Sequence, residues 1–347
     1  APMQAGKLAP RVLLVGTCLT LAAKVARCLH DAGITPFVLG VGQLRPLALL
    51  PECRAFVLWD DTDRAHNQPS ASLSGLNETC RQHAIDIVVP ADFETTLFVA
   101  ENRSKIASAV GLLPDPRTLC DLHDKWRLVE RMRRLGLRHP RSVLARNVQD
   151  LEAHGLRYPI LSKPLHGSFG VGIKTYRSQE DLAAAARAGI QEEWPVLVQE
   201  FIEGADVDLS FIAKDGRLLA HSVFRHGGYS RSFVEAPELK EAVEVLLADA
   251  NYTGVGHIDS RLGANGYHIL EINPRFWGSL LYERRAGINY PELFVRVGLS
   301  MPVPTQRAKL ATVWPSLRDV LAGQVLTRTQ SLFLLAETIR DHWLLAQ

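Results

Sequence analysis

Three oxygen-bearing side chains lie close together in the segment 254–279, GVGHIDSRLGANGYHILEINPRFWGS. Two apolar, β-branched runs joined by a Gly-Ala-Asn-Gly turn predict a β-hairpin. Glu271 and Asn273 are two residues apart and share a strand face, and the turn brings Asp259 opposite them. Carboxylate and amide oxygens suit Mg²⁺, which predicts a magnesium site with Arg275 just beyond it. The alternative is a surface hairpin in which Glu271 and Asn273 cap a turn.

A glycine-rich segment, HGSFG at 166–170, separates two predicted strands, PILSKP and VGIKTYR. Glycines let backbone N–H groups wrap phosphate oxygens without a Cβ in the way. Lys163, on the strand that enters the segment, adds a positive charge. The segment differs from the Walker loop, which places GxxxxGK[ST] before a helix. An ordinary tight hairpin is the alternative.

The strand VLVQE at 196–200 leads into a turn that suits an adenine. Backbone groups of 200–202 would read the base edge, the Glu200 carboxylate would take its amine, and Phe201 or Ile202 would supply apolar contact. Ordinary core packing is the alternative. Further on, RHGGYSRS at 225–232 is either a clamp for anionic groups or a solvated loop.

Residues 11–113 alternate between strand and helix patterns, which predicts a parallel sheet with helices on both faces. We expect strands at 11–16, 34–40, 55–60 and 86–90, and helices near 19–33, 73–83 and 93–108. The first turn, VGTCLT, lacks GxGxxG, so no dinucleotide site is expected. One strand ends in PADFET, where Asp92 and Glu94 could contact a substrate amine. Alternatively, Asp92 caps the next helix.

The composition narrows the class of protein. A chain of 347 residues, 47% hydrophobic and 22% charged, is long enough for two or three globular domains. The net charge of +2 gives no reason to expect a nucleic-acid partner. Five scattered cysteines predict reduced thiols in a cytoplasmic protein. No apolar run is long enough for a membrane span, and residues 1–10 are expected to be disordered.

After residue 114 the pattern becomes a mixture of short strands and helices. Lys125 begins one helix, and 237–252 is an amphipathic helix whose inward residues are Leu239, Val243, Leu246 and Leu247. The last forty residues predict a strand at 310–314 and two helices. A stripe of Leu332, Leu335, Ile339 and Trp343 is typical of core packing or of a dimer contact, so a homodimer is considered.

In their order and spacing, the motifs resemble the ATP-grasp superfamily of carboxylate–amine ligases over residues 10–305. They are HDK at 123–125, SKPLHGSFGVG, VQEFIEG and the hairpin pattern D-x11-E-x-N-P-R. The resemblance implies α/β and α+β architecture: a Rossmann-like parallel-sheet domain over 1–113, then an ATP-grasp domain over 114–305. That domain would divide into parts of about 114–193 and 194–305, and 306–347 would form an extension.

The resemblance also implies roles for individual residues. Lys125 and Lys163 would hold ATP phosphates, and Arg275 would face the transferred phosphate, so that Lys163 and Arg275 act in catalysis. The loop over the triphosphate would comprise Gly167, Ser168, Phe169, Gly170 and Gly172. Adenine contacts would come from Glu200, Phe201 and Ile202, and ribose contacts from Asp206 or Asp208. The ligands of two Mg²⁺ ions, or of Mn²⁺ ions in their place, would be Asp259, Glu271 and Asn273. Apart from the resemblance, substrate contacts are expected from Asp92, Glu94, Arg225, Arg231 and Ser279.

The implied reaction consumes ATP and gives ADP and phosphate. A substrate carboxylate attacks the γ-phosphate, and an amine then attacks the acyl phosphate to form an amide. The substrates are expected to be small and amino-acid-like. The first metal position is Asp where Glu is common, which shortens its reach but keeps the chemistry. His166, His226 and His257 are expected to hydrogen-bond or be solvated. The alternatives are a phosphotransferase on the same fold and a non-catalytic nucleotide-binding or scaffold protein.

Overall fold

The computed structural model describes residues 9–59, 69–167, 170–189 and 193–316. Three sheets are present in that part of the chain. Two positions of the predicted phosphate loop, Ser168 and Phe169, lie outside the described residues, as does the C-terminal stripe from Leu332 to Trp343.

The first sheet is parallel, with strand order β3-β2-β1-β4-β5. Its elements in chain order are β1 (Val12–Gly16), α1 (Leu19–Asp31), β2 (Phe37–Gly40), β3 (Ala55–Leu58), α2 (Pro69–Gln82), β4 (Ile87–Pro90), α3 (Phe93–Glu101) and β5 (Ala109–Val110). Strands β1, β2 and β4 are buried along their whole length, as expected for strands covered on both faces. The predicted α/β domain with a parallel sheet is therefore confirmed.

One helix of this sheet is shorter than the sequence predicts. Instead of running over 93–108, α3 ends at Glu101, because Asn102 leaves the helical conformation and donates its side-chain amide to the carbonyl of Phe98 at 2.9 Å. A short 3₁₀ turn and β5 follow. We did not predict β5, since two residues carry no periodic signal.

The second sheet is antiparallel, with strand order β6-β9-β7-β8. The elements from this region are α4 (Pro116–His123), α5 (Lys125–Leu135), β6 (Ser142–Ala145), α6 (Val148–Glu152), β7 (Ile160–Pro164), β8 (Lys174–Tyr176), α7 (Gln179–Arg187) and β9 (Val196–Glu200). Helix α5 begins at Lys125 because the Asp124 carboxylate accepts from the backbone N–H groups of Trp126 and Arg127. It ends at Gly136, whose left-handed conformation suits glycine.

The third sheet is antiparallel, with strand order β14-β13-β10-β11-β12-β15. Its elements are β10 (Ala205–Lys214), β11 (Arg217–Gly227), β12 (Ser230–Val234), α8 (Pro237–Asp249), β13 (Gly254–Gly263), β14 (Gly266–Asn273), α9 (Leu280–Ala286), α10 (Tyr290–Gly298) and β15 (Thr312–Val313). The four apolar residues of α8 named above are all buried. They pack in one core with the inward face of the hairpin β13–β14.

Helices α9 and α10 join the third sheet to the first. Phe276, Trp277, Tyr290 and Phe294 belong to the same core as β1 and α1. The parallel sheet is therefore packed directly against the segment that follows the predicted metal hairpin. Among the described residues, no helix is long and apolar enough to cross a membrane.

Replacing Gly111 by alanine tests this packing. A Cβ there would lie 2.1 Å from Cε1 of Phe294 in α10, so we expect a loss of about 1–3 kcal/mol of unfolding free energy. Gly75 in α2 is the matched control, since a Cβ there meets no atom within 4 Å and alanine favours a helix by up to about 1 kcal/mol. Urea denaturation of both variants measures these free energies. A Gly111→Ala variant as stable as wild type would contradict the prediction.

Candidate active site

The hairpin β13–β14 brings together the three predicted metal ligands. Gly263 pairs with Gly266 at the turn, and Asp259 pairs with Glu271 across the strands. The side-chain amide of Asn273 donates to Oδ2 of Asp259 at 2.9 Å and to Oε1 of Glu271 at 3.3 Å. The three side chains thus form one oxygen-rich cluster on a single face of the hairpin. This donor set fits a hard divalent cation, provided that the Asn273 amide turns its oxygen toward the carboxylates.

Three buried cationic side chains surround this cluster. Lys125 Nζ lies 3.3 Å from Oε2 of Glu271. Arg275 donates to Oδ1 of Asn273 at 2.9 Å. Lys163 projects from β7 and donates to Oε1 of Gln199 at 2.8 Å. The structure therefore gathers residues from α5, β7 and the segment after β14 into one group of charged side chains between the second and third sheets, and we call this region the cleft.

Burial shapes the charges of this site. Burial lowers the pKa of Lys163 to about 8, and the nearby charge of Lys125 acts in the same direction. Burial also lowers the pKa of Arg275. For Glu271, burial alone would raise the pKa, but Lys125 and Lys163 keep it below its usual value. A cleft in which cations are destabilised in this way favours an anionic ligand.

Gly167, at the start of the glycine-rich segment, lies against one of these cations. Lys125 Nζ donates to the carbonyl of Gly167 at 3.3 Å. Gly167, Gly170 and Gly172 all have positive φ, a conformation that side chains rarely adopt. At Gly172 a Cβ would also lie 2.7 Å from Pro164, so both the backbone conformation and the lack of space require glycine at this position.

The Glu200 carboxylate faces away from the cleft, contrary to the sequence prediction that it takes the adenine amine. Gln199, and not Glu200, shares a sheet face with Lys163, because successive residues of a strand point to opposite faces. Glu200 instead accepts from the backbone N–H of Arg157 at 3.0 Å and lies 3.4 Å from Nη1 of Arg141. Strand β9 ends at Glu200 as predicted, but the Glu200 carboxylate is hydrogen-bonded on the face away from Lys163.

Arg261 organises the segment after this strand, and the sequence analysis missed it. Its guanidinium carbon lies 4.8 Å from the centre of the Phe201 ring, and Nη1 donates to the carbonyl of Ile202 at 3.1 Å. Nε donates to Oδ1 of Asp206 at 2.7 Å. Asp208 differs from Asp206, since it is buried and lies against His226 and His257. Arg261 lies opposite Asp206 because β13 pairs with β10. That pairing is known only once the strand order of the sheet is known.

Asp92 is a helix cap. Its Oδ1 accepts from the backbone N–H and the hydroxyl of Thr95, forming a capping box at the start of α3. Its Oδ2 accepts from the N–H groups of Thr17 and Cys18 at 2.6 and 2.8 Å. Of the two interpretations left open, capping is the one that the structure shows. Glu94 is exposed in the first turn of α3.

The two arginines of the 225–232 loop do not form one clamp. In β11 and β12, His226 pairs with Arg231 and Arg225 pairs with Ser232, so the two arginines lie on opposite faces of the sheet. Arg231 lies on the face of the cleft, 5.0 Å from the ring centre of Tyr282. Of the two arginines, only Arg231 is on the side of the proposed ligands, and its contact with a substrate stays a prediction.

A buried carboxylate, Glu283 of α9, is a second feature that the sequence analysis missed. Its Oε1 accepts from Ser210 Oγ at 2.7 Å, Trp277 Nε1 at 2.8 Å and Ser279 Oγ at 2.8 Å. Ser279, a predicted substrate contact, therefore donates to Glu283 here. Helical periodicity marks Glu283 as buried, but the donors come from distant strands and loops that no local pattern connects.

Two family models match parts of the chain. Residues 192–315 match the family model described as "ATP-grasp in the biosynthetic pathway with Ter operon". Residues 134–229 match the model described as "D-ala D-ala ligase C-terminus". The resemblance to the ATP-grasp superfamily is therefore confirmed over these residues.

Curated relatives match a part of the chain. The large chain of carbamoyl phosphate synthase from Xanthomonas campestris is 25% identical over 244 residues, which is 62% of this chain and 22% of that protein. The mitochondrial arginine-specific large chain from Neurospora crassa is 29% identical over 150 residues, which is 42% of this chain and 13% of that protein. The chain thus spans less than a quarter of the length of these relatives.

Solved structures show the same fold over most of the chain. The L-amino acid ligase from Bacillus licheniformis superposes with a TM-score of 0.65 at 17% identity, covering 85% of this chain and 75% of that one. N5-carboxyaminoimidazole synthetase from Staphylococcus aureus gives a TM-score of 0.67 at 16% identity, covering 94% and 89%. The predicted ATP-grasp fold is confirmed.

The Glu283 cluster yields a stability prediction. Glu283→Ala leaves three buried donors without their acceptor, so we expect a loss of about 3 kcal/mol or more of unfolding free energy in urea denaturation. Glu283→Gln keeps an acceptor oxygen at the same place and should lose about half as much or less. Equal stability of the alanine variant and wild type would show that the cluster is not a structural centre.

Proposed function

We propose that this protein is an ATP- and Mg²⁺-dependent ligase that joins a carboxylate to an amine and releases ADP and phosphate. The observation that carries the proposal is the convergence of Asp259, Glu271 and Asn273 with the buried cations Lys125, Lys163 and Arg275. In one cleft, the chain offers oxygen ligands for a hard cation and positive charges for a triphosphate.

The nucleotide would lie between the second and third sheets. Lys163 and Gln199 point into this cleft, and Lys125 and Gly167 border it. Backbone groups of residues 200–202 and the Ile202 side chain would contact the adenine, without help from the Glu200 carboxylate. For the ribose we favour Asp206, which is half-exposed and accepts from Arg261, over Asp208, which is buried among histidines.

Asp259, Glu271 and Asn273 would hold the magnesium ions, and bound Mg²⁺ would offset the charge that develops on the phosphates. Two ions are expected, with Mn²⁺ as a substitute. The chain supplies positioning: Lys125 and Lys163 would hold the phosphates, and Arg275 would face the transferred group.

The reaction then needs no nucleophilic side chain. A substrate carboxylate oxygen attacks the γ-phosphorus, the bond to the β–γ bridging oxygen breaks, and ADP leaves. The amine attacks the acyl carbon, phosphate departs, and the nitrogen loses a proton. Arg231, on the cleft side of β12, favours an anionic acid substrate of amino-acid-like size. The five free thiols agree with a reducing, cytoplasmic environment, and a homodimer stays a prediction.

ADP release across a panel of acids crossed with amines tests the proposal. We expect release only when acid, amine and Mg²⁺ are all present, and a fall of at least about 100-fold in Glu271→Ala, because a ligand for the cation is lost. Glu241→Ala, an exposed carboxylate of α8, is the control and should match wild type. ADP release that needs no amine would instead indicate a phosphotransferase, and full activity of Glu271→Ala would refute the metal assignment.

Lys163→Met isolates the phosphate contact. We expect ADP to bind roughly 10- to 100-fold more weakly by calorimetry, since a charge-assisted hydrogen bond is lost. Lys174→Met is the matched control: Lys174 pairs with Ser162, the neighbour of Lys163, and therefore lies on the other face of the same sheet. Equal affinity of Lys163→Met and Lys174→Met would place the phosphates elsewhere.

A further inference from the structure

A second group of metal-ligand atoms adjoins the proposed magnesium ligands. Ligand atoms of Asp208, His257 and Asp259 all lie within 4.8 Å of one another. Nε2 of His257 is 3.5 Å from Oδ2 of Asp208 and 3.2 Å from Oδ1 of Asp259. Asp208 and His257 are buried on the neighbouring strands β10 and β13, so their positions are set by the sheet.

The protonation of the His257 ring follows from its other nitrogen. Ser210 has a single hydroxyl proton, and it donates that proton to Glu283 Oε1 at 2.7 Å. His257 Nδ1, 2.9 Å from Ser210 Oγ, must therefore carry a proton and donate it to that oxygen. Nε2 is left to face two carboxylate oxygens, either with a second proton or with a lone pair directed at a cation.

The distances favour a cation. Charge-assisted N–H···O bonds are about 2.7–2.9 Å long, shorter than both contacts of Nε2. Ligand atoms that each lie 2.0–2.2 Å from one ion are separated from one another by roughly 3.0–3.5 Å. The observed separations of 3.2 and 3.5 Å agree with shared coordination of one ion.

Asp259 belongs both to this group and to the hairpin cluster, with one carboxylate oxygen on each side. Its Oδ2 accepts from Asn273, on the side of Glu271, whereas its Oδ1 faces His257. The carboxylate can therefore bridge two cation positions, one on each oxygen. The position at Oδ1 contains a histidine, which the hairpin cluster lacks.

The supporting contacts are those of a built site. Oδ1 of Asp208 accepts from the backbone N–H of Ser260 at 3.2 Å, and His226 Nε2 contacts its Oδ2. The Ser210–Glu283 pair orients the ring of His257. Ligating imidazoles and carboxylates are held in this way by outer hydrogen-bond partners.

We propose that Asp208, His257 and Asp259 bind one divalent first-row transition-metal ion, of the kind represented by Mn²⁺, Zn²⁺ and Co²⁺. One imidazole nitrogen and two carboxylate oxygens suit such ions better than Mg²⁺, which takes oxygen ligands. Three protein ligands leave further positions for water or for a substrate oxygen. The site needs no nucleotide, and it shares only Asp259 with the proposed magnesium site.

Co²⁺ titration of the nucleotide-free protein, followed by visible absorption and calorimetry, tests this site. Wild type should bind one Co²⁺ ion at Asp208, His257 and Asp259, and Asp208→Asn and His257→Gln should each weaken binding at least about 10-fold. Asp206→Asn, two residues away on the same face of β10, is the matched control and should bind as wild type does. Wild type that binds no Co²⁺, or Asp208→Asn that binds it equally, would overturn the proposal.

Two further measurements keep this test separate from the proposed ligase activity. Glu271→Ala should lose Mg²⁺-dependent ADP release yet retain the Co²⁺ site, and loss of both would assign the cobalt to the hairpin cluster instead. In wild type, Zn²⁺ should shift the ¹⁵N resonance of His257 Nε2 and leave Nδ1 protonated. An unchanged resonance would show that Nε2 carries a proton only, even if the variants at Asp208 and His257 fail to fold.

Discussion

The register of β13 against β14 is the constraint on which the site depends. Asp259 and Glu271 meet because they are paired across the hairpin, and a slip of one residue would turn either one to the opposite face. The register is held from the other side of the sheet, where Ile258, Ile269 and Ile272 pack in the core with α8. The apolar face therefore determines where the acidic face lies.

An irregularity in that pairing reconciles the two faces. Ile269 and Ile272 are three residues apart, so a regular strand would point them in opposite directions. The structure pairs Asp259 with Glu271 but Ser260 with Ile269, which leaves one extra residue, Leu270, in β14. This bulge lets both isoleucines reach the core while Glu271 and Asn273 stay on the cleft face. Alternation alone predicted the acidic pair correctly but gives no sign of the extra residue.

This contrast indicates how far sequence reasoning reaches. Local patterns located the hairpin, the glycine-rich segment, the start of α5 at Lys125 and most strands of the parallel sheet. One kind of error arose where a shift of one residue along a strand decides which sheet face a side chain lies on, as for Glu200 beside Gln199. The other arose where neighbouring strands of a sheet are not consecutive in sequence. Because β10 lies between β11 and β13, it brings Asp208 to His257 although about fifty residues separate them. Arg261 and Glu283 escaped notice for the same reason, since their partners come from distant elements.

The charged side chains of Lys24 and Glu283 connect the parallel sheet to the cleft. Lys24 of α1 is half-buried and donates to the carbonyl of Gly278, between Arg275 and α9. Burial lowers the pKa of Lys24, and the charge of Glu283 opposes this shift, so the two groups stabilise one another across the junction between the sheets. Glu283 in turn holds Trp277, Ser279 and, through Ser210, the ring of His257. Contacts of Lys24, Gly278, Glu283 and Ser210 therefore link α1 to His257 in the hairpin, and they fix the first sheet against the strands that carry the proposed metal ligands.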